Sequence, residues 1–212
     1  MLKEVCVENF TKIPKAVQQG ADRIELCDNL AVGGTTVSLG VLEKAVAYCK
    51  GKSIPVMAII RPRGGNFVYD DSEKSILLHD IKYAKNTGAD GIVIGALTDD
   101  NELDKAFLSQ VIEQSGSMEK TFHMAFDDIA ESNQLEAIDW LVEAGFSRIL
   151  THGGSLSTPI EEHFSTLRKL IDYAGSRIII LPGGGITQDN LPLIQQTLAV
   201  QEVHGTKVVG NL

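Results

Sequence analysis

Three stretches of this chain repeat one grammar: Gly20-Ala-Asp-Arg-Ile-Glu-Leu-Cys27, Gly88-Ala-Asp-Gly-Ile-Val-Ile94 and Gly145-Phe-Ser-Arg-Ile-Leu-Thr151. In each, a helix-ending glycine leads through a polar residue into a short apolar run, which reads as a recurring helix–strand unit. The same units fit the rest of the chain. Val5-Cys-Val opens a first strand, and further strands fit Val56–Ile60, Lys120–Met124, Arg177–Leu181 and Gln201–His204. Helices are predicted from an Asn9 or Thr11 cap to Gln19 and over Leu39–Cys49, Ser72–Asn86, Glu102–Gln114, Ser132–Glu143, Glu161–Ala174 and Asp189–Thr197. Eight strands thus alternate with seven helices, with no hairpin signal between strands. Such alternation requires a parallel sheet, because parallel neighbours need crossover connections. Eight units favour closure into one TIM-type (β/α)8 barrel spanning residues 1–212 over an open doubly wound sheet. Only Gly205 to Leu212 follow the last strand, so a full eighth helix is not expected. The flank left bare predicts a homo-oligomer, a dimer being favoured.

Composition narrows the function classes. Lys plus Arg number 19 against 28 Asp plus Glu, and the net charge of −9 argues against nucleic acid or an anionic membrane surface as partner. No apolar window has the length of a membrane span, and the opening MLKEVCVENF lacks a signal-peptide core. The cysteines, Cys6, Cys27 and Cys49, are odd in number and sparse, which predicts free thiols in a reducing, cytoplasmic setting.

Side chains alternate along a strand, so polar residues inside the apolar runs need a place. Helix-facing positions must be apolar, which assigns Val5, Val7, Ile24 and Leu26 outward. Glu4, Cys6, Glu8, Glu25 and Cys27 then point to the barrel axis, as do Glu202 and His204 opposite Val203. Buried carboxylates need partners, and Arg23, Arg61 and Arg63 are the candidates. An ion-pair network plugging the barrel is the structural alternative to a functional site. Glu8, Cys27, Arg61, Arg63, His123 and His204 fall where strands finish, the face that carries active sites in such barrels.

Two motifs stand out on that face. IPVMAIIRPRGGNFVYD, Ile54 to Asp70, ends a buried strand in two guanidiniums stiffened by Pro62, a mouth suited to forked recognition of carboxylate or phosphate. Thr121-Phe-His123-Met-Ala-Phe-Asp127 offers an imidazole with a carboxylate four residues on, the pattern of an oriented base or metal ligand. His152 follows the sixth strand, whereas His79 and His163 are expected on helix surfaces. Gly183-Gly184-Gly185 after the seventh strand can cradle an anion, as can Gly33-Gly34 and Gly153-Gly154 on the same rim. Cys6 and Cys27 sit at comparable depth on adjacent strands and could hold Cu(I), with His123 or His204 as a third ligand. Spacing alone favours two small buried residues, since the chain has no CxxC, CxC or Met-rich tract.

The strings ADRIELCDNLAVGGTTVS, IRPRGGNFVYD, GADGIVIGALT, TFHMAFD, GFSRILTHGG, LPGGGI and EVHG together resemble the CutC family of copper homeostasis proteins, from Glu4 to about Thr206. The resemblance implies a cytoplasmic, self-associating TIM-type barrel linked to copper tolerance, with Cu(I) binding proposed. Met124 stands where that family usually has arginine, His152 where it usually has serine, and His204-Gly-Thr departs from the usual HxSA-like ending. Two functions are therefore weighed. One is Cu(I) handling on Cys27, Cys6, His123 and His204. The other is an enzyme acting on a small anionic or phosphorylated metabolite. There Arg61, Arg63 and Gly183–Gly185 bind the anion, and Glu8, Glu25, His123 and Asp127 serve as catalytic groups.

Overall fold

A computed structural model describes all residues, 1–212. The strands are β1 (Leu2–Glu8), β2 (Arg23–Cys27), β3 (Val56–Ile59), β4 (Gly91–Ile94), β5 (Glu119–Phe122), β6 (Arg148–Thr151), β7 (Ile179–Pro182) and β8 (Glu202–Gly205). Helices α1 (Ile13–Gln18), α2 (Leu39–Lys50), α3 (Asp71–Thr87), α4 (Lys105–Ser115), α5 (Glu131–Glu143), α6 (Phe164–Ala174) and α7 (Leu191–Leu198) lie between them, and no helix follows β8. All seven ladders are parallel, in the order β7-β6-β5-β4-β3-β2-β1-β8. This is the expected TIM-type (β/α)8 barrel without its eighth helix. No helix is long and apolar enough to cross a membrane.

Local chemistry accounts for the boundaries. Asp70 accepts from the Glu73 amide while Glu73 reaches back to the Asp70 amide, a reciprocal cap that starts α3 at Asp71. Gly88, with φ of 84°, ends it in the left-handed turn that glycine tolerates. The helix expected from Asn9 or Thr11 begins only at Ile13, because Asn9 has a positive φ of 62° and its side chain bonds the Phe10 amide. The helix expected from Glu161 is split: Ile160–His163 form a 3-10 turn before α6 begins.

The period of two sorts the strand residues as their chemistry demands. Val5, Val7, Ile24 and Leu26 join the large core between barrel and helices, whereas Cys6, Cys27, Met57, Ile59 and Val93 form a separate small cluster inside the barrel. Gly91 makes room for that inner layer, since a Cβ there would lie 2.2 Å from the Met57 Cε.

The N-terminal end of the interior is closed by ion pairs. Arg23 bridges Glu4 and, at 2.6 Å, Glu202; Arg148 bridges Glu202 at 2.8 Å and Glu119 at 2.5 Å. The plug expected of inward carboxylates exists, and Arg23 with Arg148 supplies it; Arg61 and Arg63 take no part.

Closure is incomplete on one side. No ladder joins β7 to β8, and the seam is bridged beyond the strand ends by Thr187 and Lys207, where the Gln188 N–H donates to the Lys207 carbonyl at 2.9 Å. Gly205 permits this approach, because a Cβ there would lie 2.6 Å from the Ile186 carbonyl oxygen.

Candidate functional site

Where the strands finish, a cavity of about 560 Å³ opens along the barrel axis, within the range of small-molecule sites. Cys6, Glu25 and His204 form its deep end, and Arg61, Phe67, His123 and Met124 line one side. Gly184, Gly185, Thr187, Thr206 and Lys207 line the other.

At the deep end, the sulfur of Cys6, a carboxylate oxygen of Glu25 and a ring nitrogen of His204 lie within 4.8 Å of one another, all on buried residues. The Cys27 Sγ sits 3.7 Å from the Cys6 Sγ and is turned toward the Val7 carbonyl, at 3.5 Å. Cys27 does not itself line the cavity. His204 holds Glu4 through Nδ1 at 2.8 Å and faces Glu25 through Nε2 at 3.6 Å, which ties this end to the ion-pair plug.

The titrations here follow from those contacts. Burial favours the neutral His204, but the carboxylates of Glu25 and Glu4 outweigh it and raise its pKa. Burial opposes ionisation of Glu4 as well, yet hydrogen bonds and charges from His204 and Arg23 hold it down at about 2. Glu25 is raised, chiefly by burial. The thiol beside Cys27, Cys6, is raised well above its ordinary value by the sulfur contact, by burial and by the Glu25 charge.

Across the cavity, β5 ends at Phe122 and His123 begins the 3-10 turn Met124–Asp128. The Ala125 N–H donates to His123 Nδ1 at 3.2 Å, which fixes the proton on Nε2, and that Nε2–H has no protein partner. Burial, then the nearby Arg61 charge, holds the ring neutral, with its pKa lowered to about 3. Its Nδ1–Cε1 edge packs where a Cβ on Gly95 would come within 2.5 Å, so glycine at that position is what admits the ring. Phe67 lies against both His123, with centroids 4.7 Å apart, and the Arg61 guanidinium, 4.8 Å from its ring.

Several expected roles are redistributed. Asp127 does not orient His123: the 3-10 turn swings it toward β6, where it accepts from Thr151 and from the His152 and Gly153 amides. Arg63 is absent from the cavity wall; its fork is taken by Glu73, by the Asn66 side chain and by the Gly64, Asn66 and Val68 carbonyls, so it anchors the start of α3. Arg61 does line the cavity, but its terminal nitrogens donate to the Val32, Gly34 and Gly65 carbonyls. The arginine mouth is thus a loop clamp. Glu8 also lies off the cavity, accepting from the Leu30 amide at 3.1 Å.

His123 is not one of the three clustered ligand atoms, and Gly183, unlike Gly184 and Gly185, is not in the wall. His163, expected on a helix surface, is half-buried and stacks edge-on against His152, whose ring nitrogens face the Gly183 and Thr158 carbonyls at 3.0 Å. Lys207 escaped sequence reasoning: it follows the last strand in no motif, and its place beside the seam brings it to the cavity together with Thr206, which the sequence marks only as the end of His204-Gly-Thr.

The family model for the CutC family matches residues 1–209. The chain belongs to the CutC family. A CutC family protein from Enterococcus faecalis is 59% identical over 209 residues, covering 99% of this chain and all of that one. The human copper homeostasis protein cutC homolog is 41% identical over 203 residues, 96% of this chain and 72% of its own length. A solved CutC structure from Streptococcus agalactiae superposes with a TM-score of 0.95 at 44% identity, covering 98% of this chain and 99% of that one. The CutC barrel is therefore shared along nearly its whole length.

Proposed function

We propose that this CutC protein serves copper homeostasis by holding Cu(I) at the deep end of its barrel. The observation that carries this reading is the 3.7 Å separation of the Cys6 and Cys27 sulfurs, beside His204 and Glu25. Thiolate and imidazole are the donors a soft monovalent copper ion selects, and two sulfurs each about 2.3 Å from one metal can sit this close. The names of the relatives point the same way. Binding must expel the Cys6 proton, which its surroundings hold tightly, so apparent affinity rises steeply with pH. Competition against a Cu(I) chelator tests the assignment. Cys27→Ala and Cys6→Ala are each expected to weaken binding by about tenfold or more, and unchanged affinity in the folded Cys27→Ala protein sinks it. The free buried thiols fit a cytoplasmic location. Self-association across the flank left without an eighth helix is expected in solution and is read by sedimentation.

A second reading, an enzyme acting on a small anionic metabolite at the rim, is favoured by a specific observation. Residues lining the cavity carry hydrogen-bond donors without partners: the His123 Nε2–H, the Gly184 and Gly185 amides and the Lys207 amine. Glu25, raised by burial, is the carboxyl placed to move a proton there. Phosphate or sulfate should raise the melting temperature of the native protein, and an absent shift rejects this reading.

A further inference from the structure

The cavity has two polar stations separated by an apolar middle. Its cations are Arg61 and Lys207. The Arg61 terminal nitrogens already serve three carbonyls, whereas the Lys207 amine makes neither ion pair nor hydrogen bond. Beside Lys207 lie the Thr206 hydroxyl and the Gly184 and Gly185 N–H groups, none with an intramolecular acceptor. Two consecutive glycine amides with φ of 81° and 80° beside a free ammonium present donors and no acceptor charge, a fit for a phosphate. At the other station His123 is 5% exposed, and its Nε2–H is a buried donor with nothing to bond. A group of that kind is costly unless a ligand completes it. A neutral imidazole N–H suits a carbonyl oxygen, toward which it can donate without bringing a charge.

Between the stations the wall is Leu30, Ile59, Phe67, Met124, Leu150 and Leu156. It offers little to a polyhydroxylated chain, whose hydroxyls would be desolvated without partners. Glu25, one layer below the strand ends, repels a phosphate from the deep end and so fixes the direction of entry.

Resting on the anion reading, we propose that the cavity binds an organic phosphate with a short apolar or aromatic body and a terminal carbonyl. Its phosphate is held by Gly184, Gly185, Thr206 and Lys207, and its carbonyl oxygen accepts from His123 Nε2.

Calorimetric titration of the full chain with 4-acetylphenyl phosphate, phenyl phosphate, 4-acetylphenol, ribose 5-phosphate and inorganic phosphate tests this. Affinity is expected to fall from the acetylated aryl phosphate to phenyl phosphate, and by about tenfold more to ribose 5-phosphate. Lys207→Ala should weaken both aryl phosphates about tenfold, leaving 4-acetylphenol binding and the melting temperature unchanged. His123→Phe, which keeps a ring against Phe67, should erase the gain from the acetyl group. If that variant fails to fold, equal affinity of the native protein for the acetylated and plain aryl phosphates still refutes the carbonyl contact. Ribose 5-phosphate binding as tightly as phenyl phosphate overturns the apolar class and leaves the anion reading standing. Aryl phosphates indifferent to Lys207→Ala overturn the phosphate station. If no phosphate compound binds, inorganic phosphate included, the anion reading falls as well.

Discussion

The two ends of the barrel interior use the same residue types to opposite effect. At the N-terminal end Glu4, Arg23, Glu202, Arg148 and Glu119 satisfy one another, and little is left over to act on anything else. At the C-terminal end the donors of His123, Gly184, Gly185 and Lys207 face space, and the Cys6 thiol is held protonated against a carboxylate. Inward-pointing polarity does not by itself mark a functional site. What marks it is polarity that the protein leaves incomplete. His204 joins the halves, since one ring nitrogen belongs to the plug through Glu4 and the other faces Glu25 in the cavity.

The contrast predicts where substitutions hurt. The largest effect falls on the plug: Arg23→Met leaves buried Glu4 with His204 as its remaining partner and buried Glu202 with Arg148 as its own, and should cost about 3 kcal/mol, read by chemical denaturation. A loss under about 1 kcal/mol would mean that the plug is less dry than its burial implies. Next comes Arg61→Lys, which cannot serve three carbonyls on one fork and should cost about 1–3 kcal/mol. By comparison Arg63→Ala should cost about 1 kcal/mol or less, because its partner Glu73 is part-exposed. Equal losses at the two positions would erase the distinction between clamp and surface anchor.

Acid provides a subtler probe. The folded chain keeps His123 neutral down to about 3, whereas the unfolded chain takes up that proton near the ordinary value of 6.5. This contribution is complete above 6.5 and is lost as the pH falls toward 3. Glu4, lowered to about 2, adds a similar loss only below its ordinary 4.5. His204 works in the other direction: its raised pKa contributes stability below 6.5 that disappears as the pH rises through the folded value. His123→Phe should therefore flatten the decline between about 6.5 and about 4.5 relative to the native protein, measured as melting temperature against pH. A decline unchanged by the substitution would mean that the ring is not buried neutral. Smallest of all is Lys207→Ala, expected within about 0.5 kcal/mol of native stability.

How far the sequence could be read follows the range of the interactions involved. The barrel was legible because alternation and glycine stops are local: Val5 and Val7 against Cys6 and Glu4 already announce two faces, and the ladder Glu4–Arg23 to Glu8–Cys27 realises them. The partnership of Arg23 with Glu202, 179 positions apart, is not local, so the sequence offered three arginines and no means to choose. Asp127 misled because four residues separate it from His123, a helical neighbourhood that the 3-10 turn unmakes. Lys207 was invisible for the opposite reason, as it belongs to no motif and acquires meaning only where the last strand returns beside the seventh.

That return has a consequence for dynamics. With no backbone rungs between Ile179–Pro182 and Glu202–Gly205, the backbone pairing across this gap is the bridge of Thr187 to Lys207. A guest spanning Gly184 and Thr206 would act as a staple across this gap. Amide deuterium uptake around residues 184–188 and 205–208 should then slow on loading, turning the weakest stave of the barrel into a gauge of occupancy.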